Sequence, residues 1–384
     1  MICTRICARW LTAAEWRGVA IDLGCCEVSN GASEPRAAET TGVQASPMRL
    51  AGGDSYERVR SGERTGLVLG VDGGNTKTLA VVMDRGARIC GVGRAGDSNI
   101  YSTVSPEAAV AEVEAAVARA LETVDAGRGA VKAAVFSLSG ADWREDIEYL
   151  EATLALAFPA ATVEVVNDAV GALWSGAPDG VGVSVVCGTG GCVAARAADG
   201  RSWHSGWWAL HTGAWAMGET ALQAVYAAEL GFGPSTSLTA HALEVFGCAT
   251  VEQILHAFTR RGGRHQYETA LLAPAILAQA QAGDEVARQI VVGEGAKLGG
   301  YARAAARIVG ISERPYPLVL LGGVLRAHGS ELLTNEIAAA VPDGVSATTP
   351  LEPVAGALLM ALRRTHAAVD LSLLHDQLLD LHDS

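Results

Sequence analysis

VLGVDGGNTKT, residues 68–78, leads an apolar run into a short polar turn, and the apolar run LAVVM (residues 79–83) comes directly after it. This is the pattern of a strand, a tight turn and a second strand. Gly73 and Gly74 lack a Cβ, so backbone N–H groups in the turn can approach phosphate oxygens closely. An Asp-Gly pair between apolar runs also signals an ordinary hairpin, and the rest of the chain must decide between the two interpretations.

A phosphate-holding turn would use each of its side chains. Asn75 completes the turn, Thr76 would add a hydroxyl donor, and Lys77 would add a positive charge. Asp72, at the end of the strand, is placed to hold Mg²⁺, most simply through a water molecule, because Mg²⁺ keeps much of its hydration shell. We therefore predict that residues 72–77 bind nucleotide phosphates and their metal.

A second stretch repeats this design further along the chain. VSVVCGTGGCVAAR (residues 183–196) again predicts a strand, a Gly/Thr-rich turn and a strand. Its turn residues are Gly188, Thr189, Gly190 and Gly191. Either hairpin alone could be a plain turn. Two such hairpins facing one another would form the two jaws of a phosphate clamp, so the pair favours a nucleotide site.

The composition limits the class of protein. The chain has 384 residues, enough for a bilobal protein, and its 49% apolar content is ample for a core. A net charge of −13 argues against a nucleic-acid partner, which would favour a basic face. No apolar run approaches the roughly 18 residues of a membrane span, so no membrane partner is expected. The eight cysteines lack zinc-type spacing and are expected to be reduced thiols in a cytoplasmic protein.

Residues 1–65 differ from the remainder of the chain. Their charges, cysteines and tryptophans show no helical or strand period, and they lack the apolar centre of a signal peptide. We expect a disordered or spurious extension, with Met48 as an alternative start. The rest is expected to divide into an N-terminal lobe (66–176), a C-terminal lobe (177–365) and a tail (366–384).

Strand-like and helix-like segments alternate after this extension, which predicts an α/β fold. Strands are predicted at 67–71, 79–83, 88–94, 132–138, 162–166, 181–187, 192–196 and 317–323. Helices are predicted at 106–124, 144–157, 168–175, 213–230, 236–246, 250–260, 268–282, 284–308, 330–340 and 353–364.

Two polar clusters come after apolar strands between the hairpins. Ser139, Gly140 and Asp142 come after one strand, and Asn167 and Asp168 stand between another strand and a helix. Ligands of α/β folds gather at such carboxyl ends of strands. An aspartate at a strand-to-helix corner can take a proton from a hydroxyl that faces a γ-phosphate. The same position also suits a helix N-cap, and both roles can hold together.

A tryptophan-rich patch lies after the second hairpin, at Trp203, Trp207, Trp208 and Trp215. Such side chains suit a protein core, a homodimer face or an apolar platform for a sugar. His204 and His211 lie in the same stretch but lack metal-ligand spacing. We expect them to be structural histidines with satisfied hydrogen bonds.

Together the motifs resemble those of the BadF/BadG/BcrA/BcrD ATPase family, in its N-acetylglucosamine kinase-like branch, over almost all of the chain after the extension. GVDGGNTKT is similar to the family's first phosphate motif and CGTGG to its second. LVLLGGVLRAHGS resembles the family's adenosine motif, in which Gly322 and Gly323 would lie under the nucleoside. EPVAGALLMA resembles the family's closing helix. The resemblance implies a two-lobed actin-like ATPase (ribonuclease H-like) fold with duplicated β-hairpin phosphate motifs, and ATP and Mg²⁺ as cofactors.

In the sugar-kinase branch the resemblance also implies roles for single residues. Asp168, in an Asn-Asp-Ala sequence, matches the catalytic base. Asn99, in GDSNIY, matches a sugar-contacting asparagine, and Ser139 and Gly140 match a sugar loop that precedes Asp142. The implied activity is ATP-dependent phosphorylation of a hydroxyl of an amino sugar, with the two lobes closing on the substrate.

One stretch departs from the branch. Its members usually carry GGWG…GDEGSA, whose Asp holds sugar hydroxyls and whose Trp packs on the sugar, whereas this chain has SGWWALHTGAWAMGE at 205–219. Trp207 can replace the Trp, but Thr212 and Gly213 occupy the region of the missing acid, and Glu219 comes later. A buried sugar hydroxyl without a charged acceptor loses about 1.5–3 kcal/mol of binding free energy. The sequence therefore leaves the identity of the sugar and the efficiency of turnover undetermined.

Two other functions stay open as well. ATPase activators of the same family bridge an iron–sulfur cluster through cysteines. Cys187 and Cys192 flank the second hairpin, although the activators' Cys-Ala-Ala-Gly-Thr-Gly pattern is absent. A sensor that binds sugar or nucleotide without turnover would explain the altered 205–219 stretch. Another branch of sugar kinases is excluded, because its zinc-binding C-x-C-G-x-x-G-C run does not occur here.

Overall fold

The computed structural model of this protein describes residues 66–347, 351–365 and 377. The predicted extension (1–65) and nearly all of the predicted tail (366–384) lie outside the described residues. The described part is an α/β fold with two five-stranded mixed sheets. The predicted α/β class is therefore confirmed.

The first sheet contains the N-terminal hairpin, and its spatial order is β3-β2-β1-β4-β5. Its strands are β1 (Leu67–Gly73), β2 (Thr78–Met83), β3 (Ile89–Ala95), β4 (Val131–Leu138) and β5 (Thr162–Asn167). β2 is antiparallel to both β1 and β3, whereas β4 is parallel to both β1 and β5. The carboxyl ends of β1, β4 and β5 therefore meet at one edge, where Asp72, Ser139 and Asp168 stand.

The second sheet repeats this plan, in the order β10-β9-β6-β7-β8. Its strands are β6 (Gly182–Cys187), β7 (Gly191–Arg196), β8 (Ser202–His204), β9 (Tyr316–Leu321) and β10 (Gly344–Ala347). β6, β7 and β8 form an antiparallel meander, and β9 is parallel to both β6 and β10. The repeat seen in the two hairpin sequences is therefore a repeat of sheet topology.

Helices cover both sheets and form most of the chain beyond β8. They are α1 (Pro106–Glu122), α2 (Arg144–Ala157), α3 (Asp168–Gly176), α4 (Ala214–Glu229), α5 (Leu238–Phe246), α6 (Val251–Thr259), α7 (Ala273–Gln281), α8 (Glu285–Val309), α9 (Gly323–Arg326), α10 (Glu331–Ala340) and α11 (Val354–Arg364). Capping side chains and glycines fix the ends of several helices. Ser105 accepts a hydrogen bond from the Ala108 N–H at the start of α1, and Gly310 ends α8 in the left-handed region at φ 75°.

The closing helix α11 packs far from its neighbours in sequence. Its buried residues Val354, Ala357 and Leu358 share a core cluster with Val68 and Val135 of the first sheet. The other face of the same sheet packs against α1 and α2. The first sheet is thus covered on both faces, as expected for strands as uniformly apolar as β1 and β4.

Most predicted elements agree with the structure to within a few residues. Two short edge strands, β8 and β10, were not predicted, because three or four residues carry too little periodicity to be recognised. The predicted helix 268–282 is wrong in its first part, since Gln266–Leu272 is a 3₁₀ segment that precedes α7. The lobe boundaries at 66–176 and 177–365 stay predictions.

No helix in the described ranges has both the length and the apolar character needed to cross a lipid bilayer.

Candidate active site

A cleft of about 890 Å³ receives residues from both sheets. Nearly all of the predicted site residues line it: Asp72, Gly73, Gly74, Asn75, Thr76, Lys77, Asn99, Ser139, Asp142, Asp168, Gly188, Thr189, Gly190, Gly191, Trp207 and Gly323. The two exceptions, Gly140 and Gly322, are absent from this lining. Positions that are far apart in sequence therefore line one cleft.

The two hairpin turns face each other across the cleft. The Thr76 hydroxyl of the first turn lies 3.4 Å from the Thr189 hydroxyl of the second. Each turn is closed by its own backbone, through Gly74 N–H to Lys77 O at 3.0 Å and Gly188 N–H to Gly190 O at 2.9 Å. The two turns therefore face one another as the paired motifs predict, and their binding of phosphate stays a prediction.

The second turn is fixed to the start of α4. Ala214 N–H donates to Gly188 O at 2.9 Å, and Trp215 N–H donates to Thr189 O at 3.1 Å. Gly213 precedes them with φ 93°, and a Cβ there would lie 2.3 Å from the backbone carbon of Gly190. Only glycine allows this close approach.

The glycines of the predicted adenosine motif lie beside this turn. Gly322 has φ 100°, and a Cβ at that position would stand 2.3 Å from the Cys187 carbonyl oxygen. Gly323 begins α9 and lines the cleft. Apolar residues Pro274 and Leu277 of α7 line the cleft as well. An apolar slot therefore lies next to the two turns that are predicted to bind phosphate.

A polar network links the first turn to the predicted sugar loops. The Asn99 side-chain amide donates to Asn75 Oδ1 at 2.6 Å and to Ser139 Oγ at 3.2 Å. The backbone of Gly140 passes so close that a Cβ there would lie 2.5 Å from Asn99 Oδ1. Gly140, with φ 88°, thus shapes the pocket from behind.

Asp168 stands where β5 turns into α3. Asn167 is the N-cap of that helix, and its Oδ1 accepts from the Ala169 N–H. Asp168 Oδ1 accepts from the same N–H at 2.8 Å, so its other oxygen is available to the cleft. Burial raises the pKa of Asp168 to about 6, although the backbone hydrogen bond opposes the shift. Near neutral pH this carboxylate is ionised and can accept a proton.

Asp142 is the second carboxylate of this wall. Its Oδ1 accepts from the Asn167 side-chain amide at 3.0 Å. Burial, together with the negative charges of Asp168 and Asp146, raises the pKa of Asp142 to about 7. The two aspartates therefore repel one another across a small volume.

Asp72 lies among several charges at the end of β1. Burial and the charges of Asp168 and Glu352 raise the pKa of Asp72 to about 7, against the opposing effect of Lys77 and Arg326. Lys77 Nζ is 3.3 Å from Glu352 Oε2, and Arg326 Nη1 is 3.4 Å from Glu352 Oε1. Sequence reasoning missed Glu352 and Arg326, although both belong to motifs that it singled out.

These surroundings fit Mg²⁺. A bound cation would stabilise the ionised form of Asp72, whose pKa is raised by burial and by neighbouring carboxylates. Among the described residues, no three His, Cys, Asp or Glu side chains form a metal cage. Mg²⁺ is usually bound by one or two carboxylates together with nucleotide phosphates, so Asp72 beside the two turns meets its requirements.

The tryptophans of the patch lie in different surroundings. Trp215 is buried and packs edge-on against Tyr267, with ring centroids 5.4 Å apart. Trp207 is 40% exposed, lines the cleft, and meets the Tyr101 ring edge-on at 4.9 Å. Trp208 points outward and is 72% exposed. Sequence reasoning missed Tyr101, which lies only two residues after Asn99.

The 205–219 stretch brings no carboxylate to the cleft. Thr212 is buried and donates to Ala209 O at 2.6 Å, and Glu219 is exposed on α4, outside the cleft lining. The Gly213 N–H donates to Glu294, a buried glutamate that is absent from that lining. The prediction of a satisfied histidine is wrong for His204, whose buried Nδ1 has no hydrogen-bond partner among the described residues.

Of the two cysteines of the second hairpin, Cys187 is buried and Cys192 is half-buried. Cys187 lies in the core of the second sheet, and burial raises its pKa well above the ordinary value. Cys192 lines the cleft, and burial raises its pKa to about 12. Neither environment favours the thiolate that an iron–sulfur cluster requires.

Two sheets of the same topology, each presenting a glycine-rich turn to one cleft, define an ATPase of the actin-like, sugar-kinase fold. The profile of the BadF/BadG/BcrA/BcrD ATPase family matches residues 69–361. The protein belongs to that family, and the predicted resemblance is confirmed.

Two named proteins to which this chain is similar are both kinases. The chain is 28% identical to N-acetyl-D-glucosamine kinase of Dictyostelium discoideum, over 77% of this chain and 98% of that protein. It is 26% identical to N-acetylmuramic acid/N-acetylglucosamine kinase of Clostridium acetobutylicum, over 67% of this chain and 85% of that protein.

Solved structures show the same fold. A candidate N-acetylglucosamine kinase from Chromobacterium violaceum matches with a TM-score of 0.61 at 22% identity, covering 78% of this chain and 99% of that one. A ROK family glucokinase from Streptomyces griseus, solved with glucose and AMPPNP, matches with a TM-score of 0.51 at 19% identity, covering 78% of this chain and 99% of that one. The predicted two-lobed actin-like fold is confirmed.

Proposed function

We propose that this protein is an ATP-dependent kinase that phosphorylates a hydroxyl of an amino sugar of the N-acetylglucosamine type. The observation that carries the proposal is Asp168, a buried carboxylate that stands in the same cleft as both phosphate turns. The names of the two kinases to which the chain is similar support the sugar class.

The nucleotide side is built from the two turns. The backbone N–H groups of the glycine turns would hold the β- and γ-phosphates, with Lys77 supplying positive charge. Gly323 and the apolar face of α7 would take the nucleoside. A Mg²⁺ ion held at Asp72 would neutralise phosphate charge and orient the γ-phosphate.

The sugar side is formed by the other wall. Asn99, Ser139 and Asp142 offer hydrogen-bonding groups at its base, with Gly140 shaping the loop behind them. Trp207 offers a ring face to the apolar side of a pyranose. These assignments place the sugar between Asp168 and the first turn, so that one hydroxyl can face both.

Transfer then needs one proton movement. The sugar hydroxyl attacks the γ-phosphorus in line while the bond to the β-γ bridging oxygen breaks and ADP leaves. The hydroxyl proton passes to Asp168, which is ionised near neutral pH because the pKa of that carboxyl is about 6. Closure of the cleft would exclude water, which would otherwise compete with the sugar for the phosphoryl group.

The main test is sugar-dependent ADP release by the full chain with Mg·ATP. The panel contains N-acetylglucosamine, glucosamine, N-acetylmannosamine, N-acetylmuramic acid and glucose, beside a blank without sugar. We expect ADP above the blank with at least one N-acetylated sugar. ADP at the blank rate for every sugar, with ATP still bound, would instead favour the non-catalytic sensor or an ATPase that uses another partner.

Asp168→Asn tests the assignment of the base. We expect turnover to fall by a factor of about 10²–10⁴, the usual contribution of a general base, while ATP affinity measured by calorimetry stays the same. Asp179→Asn is the matched control, because Asp179 is exposed and outside the cleft lining. Sugar-dependent turnover that survives in Asp168→Asn would contradict the proposed base.

A further inference from the structure

His204 has a buried ring nitrogen to which no residue in the described ranges is hydrogen-bonded. It ends β8, directly before the loop that carries Trp207, and its Nδ1 has no hydrogen bond to any described residue. Leaving a buried polar group unpaired costs about 1–3 kcal/mol. Such a cost at the edge of a binding site indicates a group that finds its partner in another state of the protein.

The Asp142 carboxylate lies close to this nitrogen. Gly206 lies between Asp142 and His204. A Cβ on Gly206 would stand 3.0 Å from Asp142 Oδ1 and 3.3 Å from His204 Nδ1. His204 belongs to the second sheet and Asp142 comes after a strand of the first, so the pair brings together the two sheets beside the cleft. Any side chain on Gly206 would separate them.

Asp142 also has hydrogen-bonding capacity left. Among the described residues its hydrogen-bond donor is Asn167, which occupies Oδ1 and leaves Oδ2 without a donor. Asp142 lines the cleft, and the 205–219 stretch supplies no acid there. An ionised carboxylate can accept from several donors at once, so Asp142 can serve both His204 and a ligand hydroxyl.

We propose that His204 is a positioning residue for the sugar subsite. As the cleft closes, His204 Nδ1–H donates to Asp142 Oδ1 and fixes that carboxylate so that Oδ2 accepts a hydrogen bond from a hydroxyl of the amino sugar. The pair thereby replaces the acid that the 205–219 stretch lacks. This inference rests on the proposed sugar site, and it adds a residue outside the cleft lining to that site.

The test is calorimetric binding of N-acetylglucosamine and, separately, of Mg·ATP to the full chain. His204→Phe keeps a ring but removes both nitrogens, and we expect N-acetylglucosamine to bind about tenfold more weakly, the size of one hydrogen bond to a charged group. ATP affinity should change less than about twofold. His204→Asn keeps a donor near the Nδ1 position and should recover most of the sugar affinity.

A double variant separates positioning from a merely structural role. If His204 acts through Asp142, His204→Phe/Asp142→Asn will bind the sugar no more weakly than Asp142→Asn alone. Gly206→Ala provides a second route, since its methyl group would separate the pair with both side chains present. His256→Phe, an exposed histidine of α6, is the matched control and should bind like the unmodified protein.

The outcomes are distinct. Unchanged sugar binding in His204→Phe, equal loss of sugar and ATP affinity, or additive losses in the double variant would each overturn the inference. If the sugar binds with the expected pattern but is never phosphorylated, the result supports the role of His204 and contradicts the proposed kinase activity. If the unmodified protein binds no N-acetylglucosamine, the result contradicts both the role of His204 and the proposed sugar site.

Discussion

Three aspartates from three different strand ends share the wall of one cleft. Burial is the first cause of the raised pKa of Asp72, Asp142 and Asp168, and charge repulsion adds to the shift at the first two. A fold that only had to be stable would not keep three carboxylates so close. Their proximity is reasonable where a cation, a proton from a substrate or a hydrogen-bond donor will join them.

The pKa of Asp168 predicts a stability effect with a definite sign. The folded-state pKa is raised from 3.8 to about 6, so the charged form is disfavoured in the folded protein. The resulting loss of stability is absent below about pH 3.8 and complete above about pH 6. Asp168→Asn removes the charge and should stabilise the protein by up to about 2–3 kcal/mol at pH 8.

Thermal unfolding of the protein without ligands, at pH 8 and at pH 4, measures this effect. The gain in melting temperature from Asp168→Asn should be clear at pH 8 and nearly absent at pH 4. Asp199→Asn is the control of opposite sign, because hydrogen bonds from Arg201 lower the pKa of Asp199, and no gain is expected from it. A gain of equal size at both pH values would show that burial of the charge is not the cause.

At the scale of elements, the helices α3 and α11 cross closely at a pair of glycines next to the site. α3 begins at Asp168, and α11 crosses it so closely that a Cβ on Gly356 would lie 1.9 Å from the Gly171 carbonyl oxygen. α3 comes after the last strand of the first sheet and leads into the second. The crossing therefore joins the helix that carries the proposed base to the helix that closes the chain.

Gly356→Ala tests that crossing. We expect a destabilisation of about 1–3 kcal/mol, because the methyl group meets backbone and the two helices must separate. Gly300→Ala in α8 is a matched control, since its Cβ would meet nothing within 4 Å. Removing a helical glycine there should leave stability unchanged or raise it by about 0.5–1 kcal/mol. Equal unfolding midpoints in urea for the two variants would contradict the close crossing.

For the molecule as a whole, the arrangement of the two sheets brings together the two turns that are predicted to bind phosphate. Thr76 and Thr189 belong to different sheets, yet their hydroxyls are 3.4 Å apart. Lys77 of the first turn also reaches Glu352, which precedes α11, and the same glutamate meets Arg326 of the adenosine motif. Nucleotide binding must therefore compete with contacts that the two halves make to each other.

A reversible crosslink tests this arrangement. Cysteines at both threonine positions, Thr76→Cys and Thr189→Cys together, should form a disulfide under mild oxidation, because the two hydroxyl oxygens lie within easy reach. The closed clamp should exclude ATP, so nucleotide binding is lost on oxidation and returns with dithiothreitol. Each single variant, treated in the same way, controls for the native thiols. Undiminished ATP binding by the crosslinked protein would place the phosphates elsewhere.

Much of this protein can be predicted from its sequence, because the signals are local. The turn at Asp72 and Gly73 and the one at Gly188 and Gly190 are each encoded within a few residues, as glycines between apolar strands. The alternation of strands and helices arises from hydrophobic periodicity, which is also local. The fold class and the phosphate motifs are determined in this way.

Other features arise only when distant segments meet. The pairing of Lys77 with Glu352 and the contact of Tyr101 with Trp207 have no local signal, because each joins segments that are far apart in the chain. The lack of a partner for His204 Nδ1 among the described residues is likewise not visible in the sequence, because any histidine can form hydrogen bonds. The sequence by itself determined most of the helices and strands and the turns that can approach a phosphate. Only the tertiary structure decided which charges and rings share the cleft, because burial and through-space distance set those interactions.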